Sequence, residues 1–437
     1  VVSNGYEALG IGIGGEDFVS AGDIESNGRI RNSNMIAVLV NGSETASAYG
    51  ISVMDIKEGG RIDNTGTVRV QVTSDDNVYV AGIAGEDLGG SIVNGTEAGL
   101  EEDFNGLISV YVEKDGYNRA EIFGIELRAD VESTGLVANY GRIEIEAYAT
   151  GGTDQIDIAG ISGEDVFLGG SVLNAGTIDV YLSLNNHTED SVEVYGMYHD
   201  DIAGVVRNTG TVRIEADVDD FDGNGDSYGF MAFAGMRVND VEFDSDIEVA
   251  GLVENEGRIE ISLYVSSGES DDTELYVAGM EAGGVYGNLI NSGYIEIDVS
   301  VETDSSIDSM SVAGVASGGV EDTGRVENSG TIDIDVFVED IAEDFAVWGM
   351  RAYTGDWGKN SGNMDGDIAG LFVNTNTGRI LISVTAESAS ADARGMEAEA
   401  VLEGGEEGAQ RGARRGVADD VHRARAPAAA RRRRRRG

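Results

Sequence analysis

The most specific chemical motif in this sequence is an acidic loop, DVDDFDGNGDSYG, which carries the side-chain types that calcium prefers. Asp220, Asp222 and Asn224, followed by a glycine, match the first half of a calcium-binding loop of the form D-x-D-x-N-G. The twelfth position, where a complete loop has a bidentate acid, is Met231, so a full EF-hand is excluded. The motif predicts a smaller calcium clip made of Asp220, Asp222, Asn224 and Asp226, with a solvated acidic loop as the alternative. Calcium is the one candidate cofactor, and none is required.

Catalytic residues are hard to place, because side-chain bases are rare and acids are everywhere. The repetitive part of the chain has two histidines, His187 and His199, and pairs of carboxylates are too common to be informative. Three aromatic residues, Trp348, Tyr353 and Trp357, lie close together in the sequence and could stack on sugar rings. Packing of this segment against the rest of the fold is the alternative. We therefore predict no catalytic residue.

Composition narrows the classes of protein to which the chain can belong. Its 437 residues include 64 Gly, 80 Asp or Glu against 29 Lys or Arg, one Pro and no Cys, for a formal net charge of −51. The absence of Cys excludes disulfide scaffolds, thiolate zinc sites and cysteine nucleophiles. No run of roughly 18 apolar residues is present, so no helical membrane span is expected in this chain. A large negative charge repels phosphates, and we expect no nucleic-acid partner.

A repeat covers most of the chain. The pattern is Gly, any residue, apolar, any, Asn, any, Gly, any, Ile or Val, and it recurs with a mean period of about 39 residues. An additional copy begins at Gly22, with Ser26 in the place of Asn, and interrupted copies begin at Gly90 and Gly370. The intact copies begin at Gly60, Gly135, Gly170, Gly204, Gly251, Gly287 and Gly324.

Each repeat predicts three short β-strands. The first carries the Gly–apolar–Asn motif, and the second follows at once with strict alternation, as in TVRVQV and TIDIDVFV. Alternation at period two indicates a half-buried strand with apolar residues inward and charged residues outward. The third strand has the form VxVxGI, and the residue after its Gly predicts a continuous core row. This row is Ile13, Ile51, Ile83, Ile125, Ile161, Met197, Met236, Met280, Val315, Met350 and Met396.

Such a repeat cannot bury its apolar face alone, so successive repeats must stack. Stacking of like strand on like strand makes three parallel sheets. It predicts an all-β fold, a parallel β-solenoid (β-helix) of about ten three-strand rungs, where a rung is one full turn of the chain. At about 4.8 Å per rung, the rod would be on the order of 50 Å long. A β-propeller with blades of the same period is the alternative, but the three-strand count favours the solenoid.

The charge distribution divides the chain into two segments. Residues 1–405 form the predicted solenoid array, and residues 406–437 form an Arg- and Ala-rich low-complexity tail. Through residue 410 there are 18 bases against 78 acids, a balance of −60, so nearly all of the negative charge belongs to the array. We expect the tail to be disordered or non-native. A basic arm for an anionic surface is the alternative.

The repeated Asn is predicted to be structural. Stacked Asn side chains can form amide ladders, and Asn tolerates left-handed backbone angles. The Gly two positions later would supply a bend without Cβ strain. A row of ligand-binding amides is the functional alternative. The predicted ladder consists of Asn64, Asn139, Asn174, Asn208, Asn255, Asn291, Asn328 and Asn376.

The GxIxNxGTI motif, followed by an alternating strand and an xxGI strand, resembles the passenger repeats of bacterial autotransporter adhesins. More distantly it resembles the secreted β-helices of the filamentous-haemagglutinin type. The resemblance implies a protein of a Gram-negative bacterium that is secreted or lies on the cell surface, at the outer membrane. It also implies a signal peptide and an outer-membrane barrel in the complete protein.

These observations favour a non-enzymatic structural or adhesin rod, with glycans or proteins of a host or neighbouring cell surface as partners. Every distinguished residue repeats, whereas an active site usually breaks the symmetry once. End-to-end self-association into filaments is a further expectation, because open solenoid ends expose unpaired strand edges. The alternative is a carbohydrate-active β-helix enzyme, a polysaccharide lyase or hydrolase. Stacked outward acids repel one another, so we also expect a halophilic source or a dependence on cations.

Overall fold

The computed structural model describes residues 1–14, 22–97, 106–116, 118–150, 155–185, 191–221, 229–244, 249–267, 273–353, 367–386, 391–398 and 400–401. Every regular element in these ranges is a β-strand, so the predicted all-β class is confirmed. The Arg-rich tail, residues 406–437, lies outside the described residues. None of the described ranges contains a helix of the length and apolarity needed to cross a membrane.

The strands are numbered in chain order. The first sixteen are β1 (Val2–Ile13), β2 (Arg29–Asn32), β3 (Met35–Ser52), β4 (Arg61–Asn64), β5 (Thr67–Ser74), β6 (Asn77–Gly85), β7 (Ser91–Asn94), β8 (Leu107–Asp115), β9 (Ala120–Leu127), β10 (Leu136–Asn139), β11 (Arg142–Thr150), β12 (Gln155–Ser162), β13 (Ser171–Asn174), β14 (Thr177–Asn185), β15 (Ser191–Ile202) and β16 (Val205–Asn208). The others are β17 (Thr211–Phe221), β18 (Gly229–Val241), β19 (Phe243–Asp244), β20 (Val249–Ala250), β21 (Leu252–Asn255), β22 (Arg258–Ser267), β23 (Thr273–Val285), β24 (Asn288–Asn291), β25 (Tyr294–Val320), β26 (Arg325–Asn328), β27 (Thr331–Ala352), β28 (Asp367–Ile368), β29 (Leu371–Asn374), β30 (Arg379–Ala386), β31 (Ala391–Ala398) and β32 (Ala400–Val401).

Like strands stack on like strands, as the repeat requires. The first strands of the repeats form a ten-stranded sheet in the order β2-β4-β7-β10-β13-β16-β21-β24-β26-β29, which we call the short sheet. Its neighbours are parallel and in register, for example Val137 opposite Val172. The second and third strands lie in a sheet of 20 strands, the long sheet, whose pairings are also parallel. Parallel pairing between successive repeats confirms the solenoid over the propeller.

One detail of the predicted architecture is wrong. Three separate sheets were expected, but the second and third strands belong to one bent sheet. The strands β3, β25 and β27 pass through the position of the intervening loop without interruption. In these three strands the backbone hydrogen bonds continue from the second-strand position to the third-strand position. The two predicted sheets are therefore joined into one.

The core fills the space between the two sheets. In the second strand β11, Ile143 and Ile145 are fully buried while Glu144 and Glu146 face outward, as period-two alternation requires. The predicted core row after the third-strand Gly is at most 1% exposed from Ile51 to Met350. Its two end members, Ile13 and Met396, are 36% and 39% exposed. Each belongs to an end rung, which has a described neighbour on one side alone.

Candidate binding groove

An amide ladder runs along the corner after the short sheet. Each Asn donates from its Nδ2 to the Oδ1 of the Asn in the next rung, over 2.7–2.8 Å at all nine steps. The six members from Asn32 to Asn208 use the second amide hydrogen as well, as when Asn139 donates to the carbonyl of Thr177 over 3.2 Å. The buried amides thus have their hydrogen bonds satisfied. The ladder consists of Asn32, Asn64, Asn94, Asn139, Asn174, Asn208, Asn255, Asn291, Asn328 and Asn374.

Seven of the eight predicted ladder residues are in this ladder, and the eighth, Asn376, is wrong. Asn328 bonds to Asn374, and Asn376 is exposed beyond it, because the two inserted residues of the last copy follow the Asn. The first copy was also misaligned. Asn32, not Ser26, bonds to Asn64, since the first copy begins at Gly28.

The left-handed backbone angle suggested for the Asn is wrong as well. Among the described residues other than Gly, positive φ occurs at Asn27 and Asn118, and no ladder Asn adopts it. The Gly that follows is needed for close approach. A Cβ on Gly176 would lie 2.0 Å from the carbonyl oxygen of Gly141 in the preceding rung.

The predicted calcium clip lies largely outside the described residues. Asp222, Asn224 and Asp226 are not among them, and of Asp220 the backbone alone is described, near the end of β17. Within the described ranges no group of three or more His, Cys, Asp or Glu residues could hold a metal ion. The calcium clip stays a prediction.

His199 is a packing residue of the core. Its side chain is 0% exposed, and neither ring nitrogen has a hydrogen-bond partner of normal geometry. It faces the space beside Gly163, where an added Cβ would lie 2.9 Å from Nδ1 of the ring. Burial lowers the pKa of His199 to about 4, so the ring is neutral at pH 7. His187 lies outside the described residues.

The third strand bends at its glycine, and this bend makes a groove on the outside of the rod. In β12, Ile158 and Ile161 both enter the core, so the alternation skips a residue at Gly160. A Cβ on Gly160 would lie 2.2 Å from Cγ2 of Ile178, which shows how closely the bend approaches the second strand. Ala159, on the opposite face, is outside the main core and still only 2% exposed. An outward alanine buried between Phe123 and Tyr195 of the neighbouring rungs fits a concave surface at this bend.

Two columns of residues flank the bend and line this groove. Their alanines, from Ala81 to Ala316, are all at most 2% exposed. The column before the Gly contains Tyr49, Ala81, Phe123, Ala159, Tyr195, Ala234, Ala278, Ala313 and Trp348. The column after it contains Ser52, Ala84, Glu126, Ser162, Tyr198, Arg237, Glu281, Ala316 and Arg351.

Toward the amino-terminal end the groove holds a cavity of about 320 Å³, which we call the open stretch. Tyr49, Tyr79 and Phe123 supply aromatic surface, and Glu121, Glu126 and Arg128 supply charge. Ser47 and Val80 complete the lining. Ala81 and Ala84 occupy the two groove columns of the same rung as Tyr79, and their small size leaves the space.

The charged side chains of the open stretch are held in fixed pairs. Arg128 donates from Nε and Nη2 to the two carboxylate oxygens of Glu126, over 3.1 and 3.0 Å. Its guanidinium lies 5.2 Å from the ring centroid of Tyr49, a cation–π distance. Glu121 pairs with Arg119 over 2.8 Å, and Arg119 also reaches Asp157 over 3.1 Å. Burial raises the pKa of the Glu121 carboxyl and that of the Tyr49 hydroxyl.

Farther along, the same groove is occupied by its own side chains, and we call this part the filled stretch. Tyr195 and Tyr198 stack with ring centroids 5.3 Å apart. Arg237 lies 5.1 Å from the centroid of Tyr195 and reaches Glu193 over 3.6 Å and Glu281 over 3.7 Å. Burial raises the pKa of Tyr195 well above its usual value. The filled stretch consists of Tyr195, Tyr198, Arg237, Glu281, Trp348, Arg351 and Tyr353.

The aromatic residues noted in the sequence lie in the filled stretch and pack there. Arg351 lies 3.9 Å from the ring centroid of Trp348 and 5.6 Å from that of Tyr353. Tyr353 is 4% exposed and donates to Glu281 over 3.4 Å. These contacts fit packing against the rod better than a free sugar-stacking surface. Trp357 lies outside the described residues.

Sequence reasoning missed the residues of the open stretch. Tyr79, Phe123 and Arg128 do not recur from one copy to the next, whereas the motifs that predict the fold consist of residues that do. A usable signal was present, because the position before the third-strand Gly carries Ala or an aromatic residue from Tyr49 to Trp348, instead of the acids usual at outward positions.

Comparison with known proteins places these features in a family. A family model described as the BigA third pectate lyase-like domain matches residues 4–242, about 55% of the chain. This range includes the whole open stretch. Comparisons with curated proteins and with solved structures each find no match. Because the family model covers more than half of the chain, this protein belongs to the family of the BigA third pectate lyase-like domain.

Proposed function

We propose that this chain is a non-enzymatic rod of a bacterial surface protein that adheres to glycans or proteins of a host or neighbouring cell. Its family takes its name from BigA, which is a bacterial surface protein. The observation that carries the proposal is the amide ladder, which is continuous from Asn32 to Asn374. An unbroken ladder and two registered parallel sheets make an extended, stiff body that can hold a binding surface away from a cell.

Adhesion and turnover can be tested together on the purified chain. Beads coated with the chain are passed over bacterial and epithelial cells under flow, and the soluble chain is incubated with a panel of polysaccharides. We expect the beads to be retained and no new reducing ends or unsaturated products to appear. Beads that wash off every surface, or a polysaccharide that is depolymerised, would contradict the proposal.

An enzyme acting on carbohydrate is the second candidate. Two carboxylates, Glu121 and Glu126, line the open stretch, and burial raises the pKa of Glu121, as a general acid requires. The family name also includes the words pectate lyase-like. If this candidate is correct, the panel shows depolymerisation, and Glu121→Gln or Glu126→Gln abolishes it. The matched control is Glu193→Gln, at the same register position as Glu121 two rungs along.

Self-association end to end is supported by the terminal rungs. On the first strand Val2 and Leu9 are 67% and 40% exposed, and on the last short-sheet strand Leu371 is 47% exposed. Light scattering against concentration in high salt should show growth of length that Leu9→Glu reduces. Phe167, which is 44% exposed in the middle of the rod, offers the control Phe167→Glu. Separate rods at every concentration would argue against filaments.

A further inference from the structure

We propose that the open stretch binds a single pyranose ring of an uncharged glycan. This inference deepens the proposed adhesive function and rests on it, because it names the site and the class of ligand.

The cavity has the dimensions and surface of a small-molecule site. Its volume of about 320 Å³ lies at the lower end of the range for ligand pockets, which suits one sugar ring better than an extended chain. Tyr79 and Phe123 are half-buried, so parts of their rings face the cavity. A pyranose has an apolar face of C–H groups that packs on an aromatic ring, and its hydroxyls remain free for polar contacts.

The polar side chains are already arranged for hydroxyl groups. The two-point pair of Glu126 with Arg128 places acceptors and donors side by side in one plane. Neighbouring hydroxyls of a sugar can donate to such a carboxylate and accept from such a guanidinium. The pair is formed without ligand, and Arg128 is also held against Tyr49, so little ordering is required on binding.

The charge of the site disfavours both kinds of ion. The protein carries a net charge of −51, so a uronate chain would be repelled as it approached. A cation would be attracted at long range, but the acids of the site already have partners. Glu126 has Arg128 at 3.0 Å, and Glu121 and Asp157 share Arg119 at 2.8 and 3.1 Å. A cation would have to displace one of these arginines, whereas a neutral ring leaves both pairs intact.

The test compares equivalent tyrosines in the two stretches. Tyr79 and Tyr276 occupy the same register position of the third strand, one in the open stretch and the other beside the filled stretch. The full chain and the variants Tyr79→Ala and Tyr276→Ala are titrated by calorimetry with neutral hexose and N-acetylhexosamine oligosaccharides, galacturonate oligomers and a lysine peptide. We expect a neutral oligosaccharide to bind, Tyr79→Ala to weaken it about tenfold or more, as for loss of a central aromatic contact, and Tyr276→Ala to leave it unchanged.

A third variant keeps the test decisive if Tyr79→Ala fails to fold. Ala84 has the same register position as Arg237 and Arg351 of the filled stretch. The variant Ala84→Arg therefore introduces an arginine at this position in the open stretch. We expect it to fold and to abolish sugar binding by occupying the cavity. Neutral-sugar binding that survives both Tyr79→Ala and Ala84→Arg would overturn the inference. Binding of galacturonate or of the lysine peptide alone would overturn it as well.

The result can be separated from that of the proposed function. If coated beads adhere to cells but no neutral oligosaccharide binds, this inference fails and the adhesive rod stands. If an oligosaccharide binds in a Tyr79-dependent manner but beads wash off every cell, the adhesive function fails and the sugar site stands.

Discussion

The open and filled stretches are two parts of one groove with the same backbone. Both lie along the third strands, and both are bent at a glycine that approaches the second strand to within van der Waals limits. They differ in the side chains at the flanking positions. Ala81 and Ala84 leave a cavity in one, whereas Tyr195, Tyr198 and Arg237 close the other. The repeat therefore fixes the shape of the groove, and side-chain volume decides where it can accept a ligand.

This difference separates two roles that a repeat protein has to combine. Residues that recur in every rung, such as the ladder Asn and the third-strand Gly, form the scaffold. Residues that occur once, such as Phe123 with Arg128, give one part of the scaffold its own surface. A site can then change by substitution at two or three groove positions without disturbing the stacking of the rungs.

The largest expected effect concerns the glycine bend that both stretches share. In Gly160→Ala the new Cβ would lie 2.2 Å from Cγ2 of Ile178 and 2.7 Å from the carbonyl oxygen of Gly196. The Ile178 side chain is fully buried and the Gly196 carbonyl belongs to the backbone of the next rung, so neither atom can move away easily, and we expect a loss of about 5 kcal/mol or complete unfolding. Gly395 occupies the same register position in the last described third strand and has nothing within 4 Å of an added Cβ. Urea denaturation should therefore show little change in Gly395→Ala, and equal losses would refute a common, tightly packed bend.

The next largest effect tests whether the filled stretch is a buried ion-pair network. Glu281 is 5% exposed in the wild type and loses this partner in Arg237→Ala, so we expect a loss of about 4 kcal/mol. The matched change Arg128→Ala should cost about 1 kcal/mol, because its side chain is 31% exposed and Glu126 can be solvated from the cavity. Equilibrium denaturation of both variants gives the two values. Equal losses would mean that the open stretch is as closed as the filled one.

A smaller effect concerns His199 in the core, in the same rung as Tyr195 and Tyr198. Its folded-state pKa of about 4 lies below the usual 6.5, so the unfolded chain binds more protons between these values and stability falls as pH falls from 6.5 to 4. We expect wild type to lose roughly 3 kcal/mol relative to His199→Leu over this interval. Melting curves of both proteins at pH 7, 5.5 and 4 measure the difference.

Asp201 makes an opposing contribution to the pH dependence of stability, and the comparison with His199→Leu cancels it. Burial, with the carboxylates of Asp240 and Asp165, raises the pKa of Asp201 to about 6. A raised carboxyl pKa lowers stability as pH rises from about 4 to 6, and this contribution is the same in both proteins. A constant stability difference across the pH range would show that His199 is not buried as a neutral ring.

The smallest expected effect is that of salt, which acts on the outer acids of both stretches. Raising NaCl from 0.05 to 1 M shortens the Debye length to about 3 Å, and we expect the melting temperature to rise by about 5 °C. The difference between Arg237→Ala and Arg128→Ala should persist in 1 M NaCl, because buried pairs are screened much less than exposed ones. Its disappearance in salt would place both pairs at the surface.

Much of the fold could be predicted from the sequence because a solenoid converts sequence period directly into spatial neighbours. The core row from Ile51 to Met350 and seven ladder residues follow from the repeat alone. The misplaced Asn376 shows the limit of this reasoning. Motif spacing to the following Gly suggested it, but the amide two residues earlier, Asn374, is the one that meets Asn328.

The groove could not be predicted in the same way. The groove exists because of the direction in which the third strand bends at Gly160. A glycine in a strand pattern can indicate a bend, but it does not predict toward which face the strand bends. Once the bend is concave, outward residues such as Ala159 become buried and Tyr195 joins a second apolar cluster. Period-two alternation predicts that Ala159 and Tyr195 face solvent. The alternation pattern therefore cannot predict burial outside the main core.

The amide ladder also gives the rod a polarity. All nine amide bonds run in one sense, from Nδ2 toward the carboxyl-terminal end, so the amide dipoles add along the axis and polarise one another. The two ends of the ladder are chemically different. At one end Oδ1 of Asn32 has no ladder donor and accepts from the backbone N–H of Asn34. At the other end Nδ2 of Asn374 has no ladder acceptor and donates to the carbonyl of Gly378. The amino-terminal and carboxyl-terminal ends of the ladder can therefore be told apart. Copies that extend this ladder can join in one orientation only.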